Sequence, residues 1–117
     1  MMSLADVSYS ERDGVVIASI VGEIDMSNDD FLRMGIESRV SNGPLGLVVD
    51  LSGVSYLDSS GIHLLYKLAD RLSARGQRVA IVIPQDSPVE AALRYADALG
   101  LMGSARTVGE AVRSVRE

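Results

Sequence analysis

Asp58-Ser59-Ser60-Gly61 is the stretch of this chain whose residue types and position could carry chemistry. It follows the apolar run Leu47-Val48-Val49 and the segment Asp50 to Leu57, and it opens a helical pattern. The first N–H groups of a helix lack intrahelical acceptors, and the aligned peptide dipoles leave partial positive charge there. Such a helix start seats an anion, and a serine there can take a phosphate without loss of the fold. At helical spacing, Ser59, His63, Lys67, Asp70 and Ala74 form a polar stripe. Ile62, Leu65, Leu68, Ala69 and Leu72 form the apolar one. Ser59 lies in the polar stripe and Ser60 does not, so Ser59 is the candidate for phosphorylation.

Other chemistry is less well supported. His63, the only histidine, follows Ser59 by one turn and could serve a serine nucleophile as base. A hydrolase also needs an orienting third group and an oxyanion hole, and the nucleophile-elbow pattern Gly-x-Ser-x-Gly is absent. Asp50-Leu51-Ser52 lacks the second carboxylate of an aspartyl-phosphate enzyme. No phosphate-binding loop, dinucleotide fingerprint or metal-spaced cluster is present. The sequence therefore predicts no catalytic residue, no metal and no cofactor. Glu23 and Asp25, two apart at a strand end, project from one face. Met26 and Met34 are expected to be packing residues.

The elements that must position Ser59 follow from periodicity and punctuation. Asp6–Arg12 and Val15–Val21 read as strands joined by an Asp13-Gly14 hairpin turn. Ser27 is the expected N-cap of a first helix with Asp29 and Asp30 in its first turn and Leu32, Ile36 and Val40 as its apolar stripe. Gly35 within it costs about 1 kcal/mol relative to Ala. Asn42-Gly43-Pro44 ends it. Leu45–Leu51 has the continuous apolar character of a buried parallel strand. Asp58 caps a second helix that runs to about Arg75 and stops at Gly76.

Arg78–Ile83 is another strand, ended by Pro84. Ser87-Pro88-Val89-Glu90 starts a third helix, with Val89, Ala92, Leu93 and Ala96 inward and Gly100 as its stop. Thr107-Val108-Gly109-Glu110 starts a fourth, lined by Val108, Ala111, Val112 and Val115. The order β-β-α-β-α-β-α-α implies an α/β fold: a mixed sheet, an N-terminal antiparallel hairpin, parallel strand–helix–strand units, and helices packed on the sheet.

With 117 residues, one domain is expected over 1–117. Apolar residues make up 47%, enough for a core, and with no Trp and one Phe that core must be aliphatic. Few aromatics leave no platform for stacking bases, and a formal net charge of −5 disfavours nucleic acid and anionic membrane. Without cysteine there is no disulfide and no thiolate chemistry. Neither a signal peptide nor an apolar run of about 20 residues is present. A cytoplasmic location is expected.

Val48 through Ile62, with Asp58-Ser59-Ser60-Gly61 inside it, resembles the signature of STAS domains, specifically of bacterial anti-sigma factor antagonists. Gly22-Glu23-Ile24-Asp25 is a second, weaker element of the resemblance, and the order of elements is similar along nearly the whole chain. The resemblance implies a protein without enzymatic activity. Its unphosphorylated form would bind an anti-sigma factor that is also a serine kinase, freeing a sigma factor. The kinase, carrying ATP and magnesium itself, would phosphorylate Ser59 and be released, and a phosphoserine phosphatase would reset the switch. The implied partner surface is Asp58, Ser59, Ser60, Gly61, His63 and Lys67 with Glu23 and Asp25, on a monomer or weak dimer. His63 departs from the small residue common in the family at this place. The alternatives are a non-switching STAS scaffold in a signalling assembly and, more remotely, a serine hydrolase using Ser59 and His63.

Overall fold

The computed structural model describes residues 4–40, 44–95 and 102–117. Five strands form one sheet in the order β1-β2-β3-β4-β5: Ala5–Arg12, Val15–Ile24, Gly46–Leu57, Arg78–Val82 and Gly103–Ala105. β1 and β2 pair antiparallel, and every later pair is parallel. The expected mixed α/β sheet is the one observed. The hairpin turn at Asp13-Gly14 has φ of 55° and 81°, the left-handed pair that a two-residue hairpin requires.

Helices cover both faces. α1 (Asp29–Val40), α2 (Ser59–Ser73) and α3 (Glu90–Tyr95) bury Leu32, Ile36, Val40, Leu64, Leu65, Leu68, Leu72 and Leu93 against Ala18, Ile20, Leu47, Val49 and Ile81. On the opposite face, α4 (Val108–Arg116) packs Ala111, Val112 and Val115 on Val15, Ile17, Val48, Ala80 and Val82. Successive strand residues alternate between these cores, which is why β3 and β4 read as unbroken apolar runs. Each fully buried Leu or Ile contributes about 1.5–3 kcal/mol of transfer free energy.

Several boundaries differ from expectation for local reasons. β3 continues six residues beyond Leu51. Its later half buries Leu51, Val54 and Leu57 at every third position, because register shifts against β2 interrupt the two-residue alternation. Gly22 lies at one shift with φ 118°, and a Cβ there would stand 2.2 Å from the Leu4 carbonyl oxygen. β5 was not expected. Leu64 joins the buried face of α2, while Ile62 and Ala69 are only partly buried. α1 forms in full despite Gly35. The expected roles of Asn42, Gly43, Ala96 and Gly100 lie outside the described residues.

Candidate functional site

The site is built where β2 and β3 deliver the chain to the starts of α1 and α2. Ile24 and Leu57 end the two strands as paired neighbours, and both are buried. The Asp58 N–H donates to the Ile24 carbonyl at 3.4 Å. Asp58 then leaves the strand in an extended conformation and caps α2. Its Oδ1 accepts the N–H groups of Ser60 at 2.9 Å and Gly61 at 3.3 Å. Gly61 is buried, and a Cβ on it would meet Leu57 Cδ1 at 2.6 Å and Ile24 Cγ2 at 3.2 Å. The glycine therefore lets the first turn of α2 sit directly on the ends of β2 and β3.

That packing fixes where the two serines point. Ser59, the first helical residue, is exposed, and Ser60 is half-buried. His63 is exposed and Lys67 half-buried on the same side of α2 as Ser59. Ser59, Ser60 and His63 line an open groove of about 290 Å³ together with Asp29 at the start of α1. Among the described residues no hydrogen bond joins Ser59 to His63, and no group of three or more His, Asp or Glu side chains could hold a metal.

The turn from β2 into α1 forms the neighbouring wall. Ser27 was expected to cap α1, but its N–H donates to Asp25 Oδ1 at 2.8 Å and its hydroxyl donates to the same oxygen. The helix begins at Asp29, and the Asn28 carbonyl accepts the Leu32 N–H at 3.0 Å. The Asn28 side chain closes the turn, accepting the Asp25 N–H at 3.1 Å and donating to the Glu23 carbonyl at 2.9 Å. The Ser27 hydroxyl, and then its N–H, hold the Asp25 carboxyl below the usual range. Glu23 is exposed and Asp25 partly so, at the same end of the sheet as Ser59.

α1 and α2 are tied side by side. Glu37 of α1 pairs with Arg33 at 2.8 Å and with Arg71 of α2 at 3.0 Å. This tie joins the later turns of the two helices, Arg71 being in the last turn of α2, rather than their starts.

Met26 and Met34 do not pack inward as expected. They are 80% and 63% exposed, and Phe31 between them is 77% exposed. The inward stripe of α1 is Leu32, Ile36 and Val40. Met34 and Phe31 lie off that stripe, and Met26 precedes the helix. Phe31, Asn28 and Asp29 were not singled out from sequence. The signal for Phe31 was its position outside the apolar spacing of its own helix.

A family model described as the STAS domain matches residues 6–111. The chain belongs to the STAS domain family. It is 35% identical over 66 residues to the anti-sigma-F factor antagonist RsfB of Mycobacterium tuberculosis, covering 56% of this chain and 54% of RsfB. The chain thus spans about half the length of that curated relative. It is 30% identical over 112 residues to a probable sulfate transporter 3.4 of Arabidopsis thaliana, matching 85% of this chain and 17% of the transporter. The crystal structure of an anti-sigma factor antagonist from Mycobacterium paratuberculosis superposes with a TM-score of 0.86 at 26% identity, covering 97% of this chain and 95% of that one. Among the described residues no helix of this chain is long and apolar enough to cross a membrane.

Proposed function

We propose that this chain is an anti-sigma factor antagonist switched by phosphorylation of Ser59. In this reading residues 1–117 act as one STAS domain in the cytoplasm, without enzymatic activity or cofactor. The unphosphorylated form binds a serine-kinase anti-sigma factor through Asp58, Ser59, Ser60, His63, Lys67, Glu23 and Asp25, with Gly61 setting the helix start. The kinase transfers the terminal phosphoryl group of its own ATP to Ser59 Oγ. ADP leaves, and the hydroxyl proton passes to a base on the kinase. A phosphoserine phosphatase restores the hydroxyl.

One observation carries the reading: Ser59 is the exposed first residue of a helix whose next two N–H groups are already held by Asp58. The hydroxyl is presented to a partner on a rigid support. A phosphate there adds about −1.5 to −2 charge at neutral pH. In the free protein the helix dipole favours it by about 0.3–1 kcal/mol, against repulsion from the adjacent Asp58 carboxylate. In a docked interface the same dianion must be stripped of water beside Asp58. Taking a complex from almost fully bound to almost fully free needs about 5.5 kcal/mol of differential affinity. A buried unpaired phosphate is of the right size to supply most of it.

The test is incubation with the cognate anti-sigma factor and labelled ATP, followed by peptide mass spectrometry. The reading expects one phosphate, on Ser59, absent from Ser59→Ala, with the variant still binding the kinase. Phosphate retained on Ser60 in that variant overturns the assignment. A second reading, a non-switching STAS scaffold, is supported by the likeness to one segment of a much longer transporter. It expects no phosphate on Ser59 at all.

A further inference from the structure

We infer that Met26, Phe31 and Met34 form an apolar anchor that seats in a pocket of the same protein partner that receives Ser59, a pocket rimmed by lysine or arginine side chains. The inference rests on the anti-sigma factor reading and names the second half of its interface. The chain has a single phenylalanine, and that residue stands in solvent rather than in the core. Phe31 and Met34 are three apart on α1, so they share a face. Met26, in the turn before the helix, is 80% exposed as well. Large apolar groups clustered on a surface mark interaction sites, and an aromatic flanked by adaptable methionines is a common composition for one.

Position identifies the partner. Asp29, in the same first turn of α1 as Phe31, lines the groove of Ser59, Ser60 and His63. A protein that covers this groove lies over the start of α1 as well. Charge gives the pocket its rim. Glu23, Asp25, Asp29 and Asp30 lie in the same stretch of chain as the apolar group, and the chain has no Lys or Arg from position 15 to 32. Among the described residues only Asp30 of these four has a cation within reach, Arg33 at 3.5 Å. A second copy of this chain is a poor occupant, because a two-fold contact would set these carboxylates against themselves. An anionic membrane is repelled by the same charges. The two helices thus divide the labour: α1 supplies affinity in either state of Ser59, and α2 supplies the switch.

The experiment titrates the serine-kinase anti-sigma factor of the same organism with parent, Phe31→Ser, Met34→Ser and Ser59→Asp chains by calorimetry. Melting curves check each variant. Methyl spectra of methionine-labelled parent chain are recorded with and without the kinase. The expected result is Kd weakened about tenfold or more by Phe31→Ser and by Met34→Ser, with parent-like melting. Phosphorylation of these variants shows a raised KM and a parental kcat. The Met26 and Met34 methyl signals shift in the complex, and the buried Met102 signal does not. Unmoved methyl signals with parental Kd in both α1 variants overturn the anchor, even where Ser59→Asp abolishes binding and the switch stands. Loss of binding in the α1 variants with Ser59→Asp binding like the parent supports the anchor and removes the switch. A concentration-dependent dimer dissociated by Phe31→Ser assigns the surface to a second copy and overturns the inference. If no anti-sigma factor binds the parent chain, both readings fall.

Discussion

Asp58 Oδ1 accepts the Ser60 N–H at 2.9 Å and the Gly61 N–H at 3.3 Å, so the residue before Ser59 already occupies donors that an anion would otherwise use. In the proposed switch, cap and repulsive neighbour are therefore one side chain, and the two roles can be separated. Asp58→Asn keeps a capping oxygen and removes the charge. It should leave stability within about 0.5 kcal/mol, whereas Asp58→Ala should lose about 1 kcal/mol. Denaturant unfolding of both variants measures this. In binding assays Asp58→Asn should narrow the affinity gap between the unphosphorylated and phosphorylated forms. An unchanged gap would mean that Asp58 takes no part in the repulsion.

Gly61 supports Ser59 from below. Its Cα packs where a methyl group would run into Leu57 and Ile24. We expect Gly61→Ala to destabilise the fold by about 1–3 kcal/mol, as overpacking does. The start of α2 must shift to relieve the contact, so phosphorylation of Ser59 two residues earlier should slow. Melting and kinase rates are read on one preparation. Parental values for both would show that Leu57 moves aside freely and that the glycine is not needed for placement.

How far the sequence reveals this site depends on which signals are local. The start of α2 is legible because an aspartate, two serines and a glycine at a strand–helix junction state their backbone requirements in their own chemistry. The start of α1 is not. Ser27 and Asn28 are both good caps, and the choice is made by Asp25, whose carboxylate takes the Ser27 hydroxyl and N–H. Periodicity correctly assigns Leu32, Ile36 and Val40 to the core, and the same spacing places Met34 off the core, against the assumption that methionine packs. The far half of β3 is hidden because its burial repeats every three residues. β5 is hidden because Gly103-Ser104-Ala105 contains no β-branched or aromatic residue.

The Asp25–Ser27 contact makes a pH prediction. The carboxyl titrates below its ordinary value of about 3.9 in the folded protein. Its contribution to stability is therefore fully present above that ordinary value and is lost as pH falls through the depressed one. Ser27→Ala removes the side-chain donor and should move the Asp25 titration upward, with no effect at neutral pH on the core. Carboxyl-carbon spectra across pH 2–6 follow the group directly. A titration of Asp25 unaltered by Ser27→Ala would show that the hydroxyl does not hold it.

His63 should tune partner choice without serving chemistry. It is exposed one turn from Ser59 and lines the same groove, and no hydrogen bond links it to the serine among the described residues. A partner that covers Ser59 must touch it. As a neutral ring it offers one donor and one acceptor; protonated, it could pair with a phosphate on Ser59. His63→Gly removes both options and lowers helix propensity by a few tenths of a kcal/mol. The variant should bind the kinase with altered affinity and still accept phosphate on Ser59, at a changed rate. A fluorophosphonate should label neither parent nor variant, since among the described residues no base is hydrogen-bonded to the serine. Binding and phosphorylation equal to the parent would place His63 outside the interface and move the docking surface away from Ser59, His63 and Lys67, toward α1.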